Sequence, residues 1–181
     1  QVAIQDNDLT IANSGIADVN TGISGTTGAI AFTTTTRTDV DGAIALSEAG
    51  TVQLDAATIS HKSGITTVGG LIDFDAAVII DADTSIGSVA IGTGAEAAGA
   101  VVFDTTLTLA TGEGELAGDR DLTITAGSGN VTFTGQVAIQ DNDLTIANSG
   151  IADVNTGISG TTGAIAFTTT TRTDVDGAIA L

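Results

Sequence analysis

Gln1–Leu46 reads QVAIQDNDLTIANSGIADVNTGISGTTGAIAFTTTTRTDVDGAIAL, and Gln136–Leu181 reads the same, letter for letter. The 181-residue chain therefore holds one full period, 1–135, and the opening third of the next, 136–181. No stretch between the copies has the composition of a linker. A period that stops partway points to a slice of a longer repeating structure. The return of identical letters implies that whatever the first copy builds resumes in register at Gln136. The internal pattern of the stretch decides the fold. Gly28–Phe32 (GAIAF) and Gly42–Leu46 (GAIAL) each set a glycine before alternating small and large apolar residues. Alternation with period two marks a strand with one buried face. Ile30 and Phe32 should point inward, Ala29 and Ala31 outward.

Working outward, the motif recurs as GTVQL (Gly50–Leu54), GLIDF (Gly70–Phe74), GSVAI (Gly87–Ile91), GAVVF (Gly99–Phe103), GNVTF (Gly129–Phe133) and GQVAI (Gly135–Ile139). A second kind of strand lies between these, as in Asp8–Ile11, Leu107–Leu109 and Asp121–Ile124. Ala57–Ile59 and Val78–Ile80 are looser relatives. Their β-branched residues suit a pleated, half-buried surface. Gly, Asn, Asp and Ser fill the gaps, as tight turns require. Ala95–Gly99 (AEAAG) offers one helical turn at most, so the chain is all-β.

Three strands per coil give about 20–25 residues per coil and about six coils per period, within the range of solenoid repeats. The motif intervals from Gly28 onward run 14, 8, 20, 17, 12 and 30, which makes coil length look irregular. The fold these features predict is a right-handed parallel β-helix, a β-solenoid whose coils bury their apolar faces against one another. The alternative is a row of tandem β-sandwich domains. Sandwiches bring larger aromatic cores and definite linkers, and here there are only five Phe and no Trp or Tyr.

Composition narrows function. The chain has 22 acids, 4 bases and a net charge of −18, which excludes nucleic acid as a natural partner. No apolar run is long enough for membrane insertion. Absent cysteine fits an exported protein that needs no redox compartment. The acidity serves solubility and repulsion between neighbours, or else divalent-cation binding.

Asp121–Gly135, DLTITAGSGNVTFTG, resembles the giant β-strand-repeat surface proteins of bacteria, which are similar in turn to filamentous-haemagglutinin-type β-helical adhesins. Gly99–Ala110 (GAVVFDTTLTLA) is a looser second instance. The resemblance implies an elongated, non-enzymatic protein at the cell surface or outside the cell.

Candidate chemistry is sparse. His61, the sole histidine, sits in Ser60-His61-Lys62-Ser63 and reads as a solvated turn residue. With no cysteine and one histidine, a zinc site is excluded in practice, and no nucleophile elbow accompanies the histidine. An identical repeat also argues against an enzyme, because catalysis needs one unique site. Acids recur one residue apart. Asp39/Asp41, Asp81/Asp83 and Asp119/Asp121 are the candidate Ca²⁺ ligands, because hard carboxylate oxygens suit that ion. Asp6/Asp8 and Asp73/Asp75 are the weaker pairs, and Asp73 falls within a strand. No cofactor is required by the sequence; Ca²⁺ is the one it admits. Thr33–Thr36 with Thr38 raise a flat threonine face, but no such array recurs elsewhere. The function expected is a structural segment of an extracellular repetitive fibre or cell-surface filament, pairing with itself end to end or running on as continuous repeats. The alternative is the stalk of a calcium-dependent adhesin that binds glycans or other cells.

Overall fold

The computed structural model describes residues 1–88, 99–110 and 120–181. Residues 95–98 of the candidate AEAAG turn and residues 89–91 of the GSVAI strand fall outside them. Short parallel strands wind round three sides of a single stack. The first side carries Val2–Gln5, Ile23–Gly25, Ile44–Leu46, Ile65–Thr67, Thr84–Ser88 and Leu122–Thr125. The second carries Leu9–Asn13, Ile30–Thr34, Val52–Asp55, Ile72–Phe74, Val101–Phe103 and Val131–Phe133. The third carries Ile16–Val19, Arg37–Val40, Thr58–His61, Ala77–Ile80, Leu107–Leu109, Val137–Gln140, Gly157–Gly160 and Ala178–Ala180. Two longer strands, Leu144–Val154 and Ile165–Val175, bend from the first side on to the second and join those sides into one sheet. The result is a β-solenoid of about eight turns. Tandem sandwiches are overturned, because neighbouring strands pair parallel, one coil above the last.

Coil length is more regular than the glycine intervals suggested. Val2, Ile23, Ile44, Ile65 and Ile86 form one evenly spaced ladder on the first side. A coil here is 21 residues, the separation of the stacked Thr67 and Ser88. The ladder then makes one long step to Ile124, and the same coil separates Asp83 from Asp121 by 38 residues. Ile146 and Phe167 follow at ordinary spacing, as do the bonded corners Asp121–Asp143 and Asp143–Ala164, separated by 22 and 21. The extra length of the long coil lies between Ser88 and Gly99 and between Ala110 and Arg120, outside the described residues. The glycine intervals misled because the motif opens strands on all three sides.

Each side takes a third of an ordinary coil, visible in the even run Val2, Leu9, Ile16, Ile23 and Ile30. Two residues of each strand, one apart, point inward. They stack into continuous rows such as Ile30–Val52–Ile72–Val101–Val131 and Leu54–Phe74–Phe103–Phe133. Phe74 and Phe103 stack with ring centroids 4.7 Å apart, Phe103 and Phe133 at 5.1 Å. Because Gly28, Gly50, Gly70 and Gly99 lie one above another at the corner entering the second side, the backbone of each coil rests against the next. A Cβ on Gly70 would fall on the carbonyl oxygen of Gly50.

The repeat does not resume in register. Val2–Gln5 lies on the first side, but its copy Val137–Gln140 lies on the third. Leu9–Asn13 starts the second side, and its copy at Leu144 starts the first. The reason is arithmetic. Four ordinary coils and the one long coil carry Val2 to the level of Ile124. The short run from Ile124 to Val137 then crosses two more sides. A period is therefore five and two-thirds coils, close to the six expected.

Local geometry nevertheless travels with the letters. Gln5 and Gln140 both take the left-handed conformation, at φ 54° and 58°. Gly22 and Gly157 do the same at 85° and 117°. The same irregularity in pairing interrupts Ala3–Gln5 and Ala138–Gln140. Asn7 and Asn142 both send their side-chain amide to the carbonyl of the residue three before them, Ile4 and Ile139. Corners are thus encoded within a few residues, and a corner fits whichever side receives it.

Candidate functional site

Among the described candidate acids, Asp41, Asp81, Asp83 and Asp121 take up structural duties at the corners, and Asp39 does so within a strand. Asp39 points outward from the third side and is held by Arg37, with Nη2 at 2.7 Å and Nε at 2.9 Å. Beyond that side, opposite charges alternate up the corner. Lys62 Nζ lies 3.3 Å from Asp41 and 3.9 Å from Asp81, and Arg120 Nε lies 3.2 Å from Asp81. Such partly exposed pairs contribute little stability each, about 0–1 kcal/mol. Asp83 accepts the backbone N–H of Asp121 at 2.9 Å, and Asp121 accepts that of Asp143 at 2.8 Å. Asp143 accepts that of Ala164 at 2.8 Å, and in the first copy Asp8 accepts that of Ala29 at 2.8 Å. These carboxylates tie coil to coil. Asp119, the remaining candidate ligand, lies outside the described residues.

The carboxylates that converge are others. Asp73, Asp75 and Asp104 bring one oxygen each within 4.8 Å of one another. They gather where the second side turns toward the third. Asp73 faces outward between the inward Ile72 and Phe74. Asp75 and Asp104 follow Phe74 and Phe103 on successive coils, each giving its N–H to the strand below. Burial, then the charges of Asp75 and Asp104, push the Asp73 carboxyl up to about 6. Asp104 is raised as well, by burial first and then by the neighbouring Asp75. Gln53 relieves part of the crowding by donating to Asp75 at 2.7 Å. One oxygen of Asp73 is buried without a hydrogen-bond partner. The sequence offered two of these three as the Asp73/Asp75 pair. Asp104 lies one coil further on, and only the coil length brings it beside them.

At neutral pH, three carboxylates this close oppose folding unless a cation or a proton joins them. Asp73→Asn is therefore expected to raise stability at pH 7 by about 1 kcal/mol, after allowance for solvent screening. A raised folded-state pKa means that the cost is absent below pH 3.8, builds as pH climbs from there to about 6, and is complete above 6. Denaturant titrations of both proteins at pH 3.5 and 7.5 should show the full gain at the higher pH and almost none at the lower.

His61 is not the solvated turn residue expected. It closes the strand Thr58–His61 and points inward, fully buried, between Val40 below and Ile80 above. The alternation of Thr58-Ile59-Ser60-His61 carries one residue further than the apolar pattern alone suggests. Phe74 meets its ring edge-on at 6.2 Å, and neither ring nitrogen has a hydrogen-bond partner. Burial lowers its pKa from 6.5 to about 4. The unfolded chain takes up the proton more readily, so stability is complete above pH 6.5 and falls toward pH 4, by about 3 kcal/mol. His61→Leu should remove this acid sensitivity and stabilise the neutral protein by about 1–2 kcal/mol, since unpaired buried nitrogens give way to an aliphatic side chain. Chemical denaturation at pH 7 and 4.5 reads both effects; equal acid sensitivity in the two proteins would refute the assignment.

The threonine run forms no flat face either. Thr34 and Thr38 point inward and share a hydrogen bond at 3.2 Å across the corner. An open groove of about 610 Å³ runs up the first side beside Ser24, Ala45, Thr66 and Gly87. Its lining is short-chained and carries no acid or base. No helix among the described residues is long and apolar enough to cross a membrane. Comparison with family profiles, with curated proteins and with solved structures finds no match.

Proposed function

We propose that the chain is a structural segment of an extracellular repetitive fibre or cell-surface filament, with a matrix, attachment or scaffold role. One observation carries this reading. The identical second copy enters the same stack at a different side with its corners intact, so repeating the sequence prolongs the solenoid without a seam. Each coil buries its apolar rows only against its neighbours, which makes length itself stabilising. The partner implied is the protein itself, as continuous repeats or end to end. A net charge of −18 discourages lateral clumping and association with nucleic acid. Electron microscopy of the longer repeating protein should show rods one solenoid wide that rise about 27 Å per sequence period, from five and two-thirds coils at the usual strand spacing. Compact globular particles would overturn the proposal.

The convergence of Asp73, Asp75 and Asp104 favours a second reading, a calcium-dependent adhesin stalk for glycans or other cells. Ca²⁺ should then raise the melting temperature of the natural chain and leave that of Asp73→Asn unmoved. Equal responses, or none, would remove this reading.

A further inference from the structure

The offset between the two copies has a consequence for any longer stack. We infer that successive periods present each surface feature on all three sides of the filament in turn, so that the true axial repeat is three periods. This rests on the fibre reading and specifies its geometry. One period advances five and two-thirds coils, as the ladders from Val2 to Val137 show. Each copy therefore starts one side short of a whole number of coils. Three periods make seventeen whole coils, and the fourth copy returns to the side of the first.

The Arg37–Asp39 ion pair shows the effect within the chain. It projects from the third side, with N to O at 2.7 Å and the arginine side chain 49% exposed. Its copy, Arg172–Asp174, projects from the second side at 2.9 Å, with the arginine 62% exposed. The next copy falls on the first side. In one period these strands carry one of only three basic residues, Arg37, Lys62 and Arg120, on an otherwise acidic surface. They are the natural points for an acidic partner, including the flank of a neighbouring filament. Contacts made through them leave the axis in three directions, about 27 Å apart along it. That geometry suits a cross-linked mesh and disfavours a flat array with one working side.

The corners explain why the shift is tolerated. A whole-coil period would be needed if each side required its own corner chemistry. Instead Gln5 and Gln140, Gly22 and Gly157, and the Thr34–Thr38 and Thr169–Thr173 hydrogen bonds keep their geometry on different sides.

Cysteine pairs in the 181-residue chain test the shift directly. Thr132 and Asp153 are neighbours on the second side, and Thr108 and Ala138 on the third. Thr132→Cys with Asp153→Cys, and Thr108→Cys with Ala138→Cys, should each be joined by a short bis-thiol reagent, seen as a band of altered mobility after denaturation. If the copy kept the sides of the original, the efficient pairs would be Thr108→Cys with Asp153→Cys and Thr123→Cys with Ala138→Cys, and that result would overturn the inference. Two independent pairs guard against one variant that fails to fold. Appending several identical periods after Leu181 then tests the filament. Helical reconstruction should give a rise of about 27 Å, with each period turned by two-thirds of a revolution apart from any intrinsic twist. A rod whose periods share one azimuth overturns the inference. Failure to form a rod overturns the fibre reading beneath it.

Discussion

Replacing Phe103 by alanine is expected to destabilise the chain by about 4 kcal/mol, a large share of what any small domain has. Phe103 is fully buried and is the middle ring of three. Phe74 stacks on one of its faces at 4.7 Å and Phe133 on the other at 5.1 Å. Truncation opens a void bounded on both sides by aromatic faces. Those rings cannot slide together, because each is fixed by its own strand, and the strands are fixed by parallel ladders. Little relaxation means that the cavity term adds nearly in full to the lost transfer energy. Phe32, near the open end of the stack and without a stacked ring partner, should lose less on the same change. Guanidinium titration compares the two, and a similar small loss at both positions would contradict the stacked row.

Gly70→Val is expected to be as damaging for the opposite reason. Here the obstacle is backbone. A Cβ at Gly70 collides with the carbonyl oxygen of Gly50 in the coil below, and one at Gly99 meets Gly70 in the same manner. A flexible side chain can move aside, but these carbonyls are backbone and lie next to the ladder bonds that hold adjacent coils together. Ile72 takes its partner oxygen from Ala100, and Val52 takes its own from Leu71, both at 2.9 Å. Relief requires two coils to part locally, at a cost of about 3 kcal/mol or more. Gly15, with open space around its missing Cβ, is the internal control and should accept alanine with little change. Thermal melts of Gly70→Val and Gly15→Ala give the comparison; equal melting temperatures would mean that the glycine corner is not a close approach.

The sequence made the architecture legible because inward pairs such as Ile30/Phe32, Ile72/Phe74 and Val131/Phe133 follow a glycine corner and alternate cleanly. Those same glycines hid the coil length. Ile23, Ile44, Ile65 and Ile86 recur at a constant interval, but the glycine motif opens strands on different sides and so blurs it. With the coil length uncertain, two facts were out of reach. One was that the period is not a whole number of coils, so the second copy begins on another side. The other was that Asp104 stands over Asp75. His61 went astray for a different reason. Its polar neighbours Ser60, Lys62 and Ser63 suggest a turn, but strand alternation sends it inward, where burial holds it neutral. Asp41, Asp81 and Asp83 lie at corners, as turn-forming acids should, but Asp39 lies inside the strand Arg37–Val40. The Arg37–Asp39 bond is local to one strand, whereas the bonds to Lys62, Arg120 and the next coil's N–H groups depend on what lies one coil away.

All of these conclusions depend on coils stacked evenly along one axis. The measurement that tests this most directly is pulsed electron spin resonance along the first side, with labels at Ser24 and, in turn, Thr66, Thr125 and Ala147. These residues lie two, four and five coils above Ser24 in one outward ladder. The backbone separations expected are about 10, 19 and 24 Å, in even steps of about 4.8 Å per coil. Separations that fail to increase in that order, with Ala147 nearer to Ser24 than Thr125 is, would contradict the solenoid.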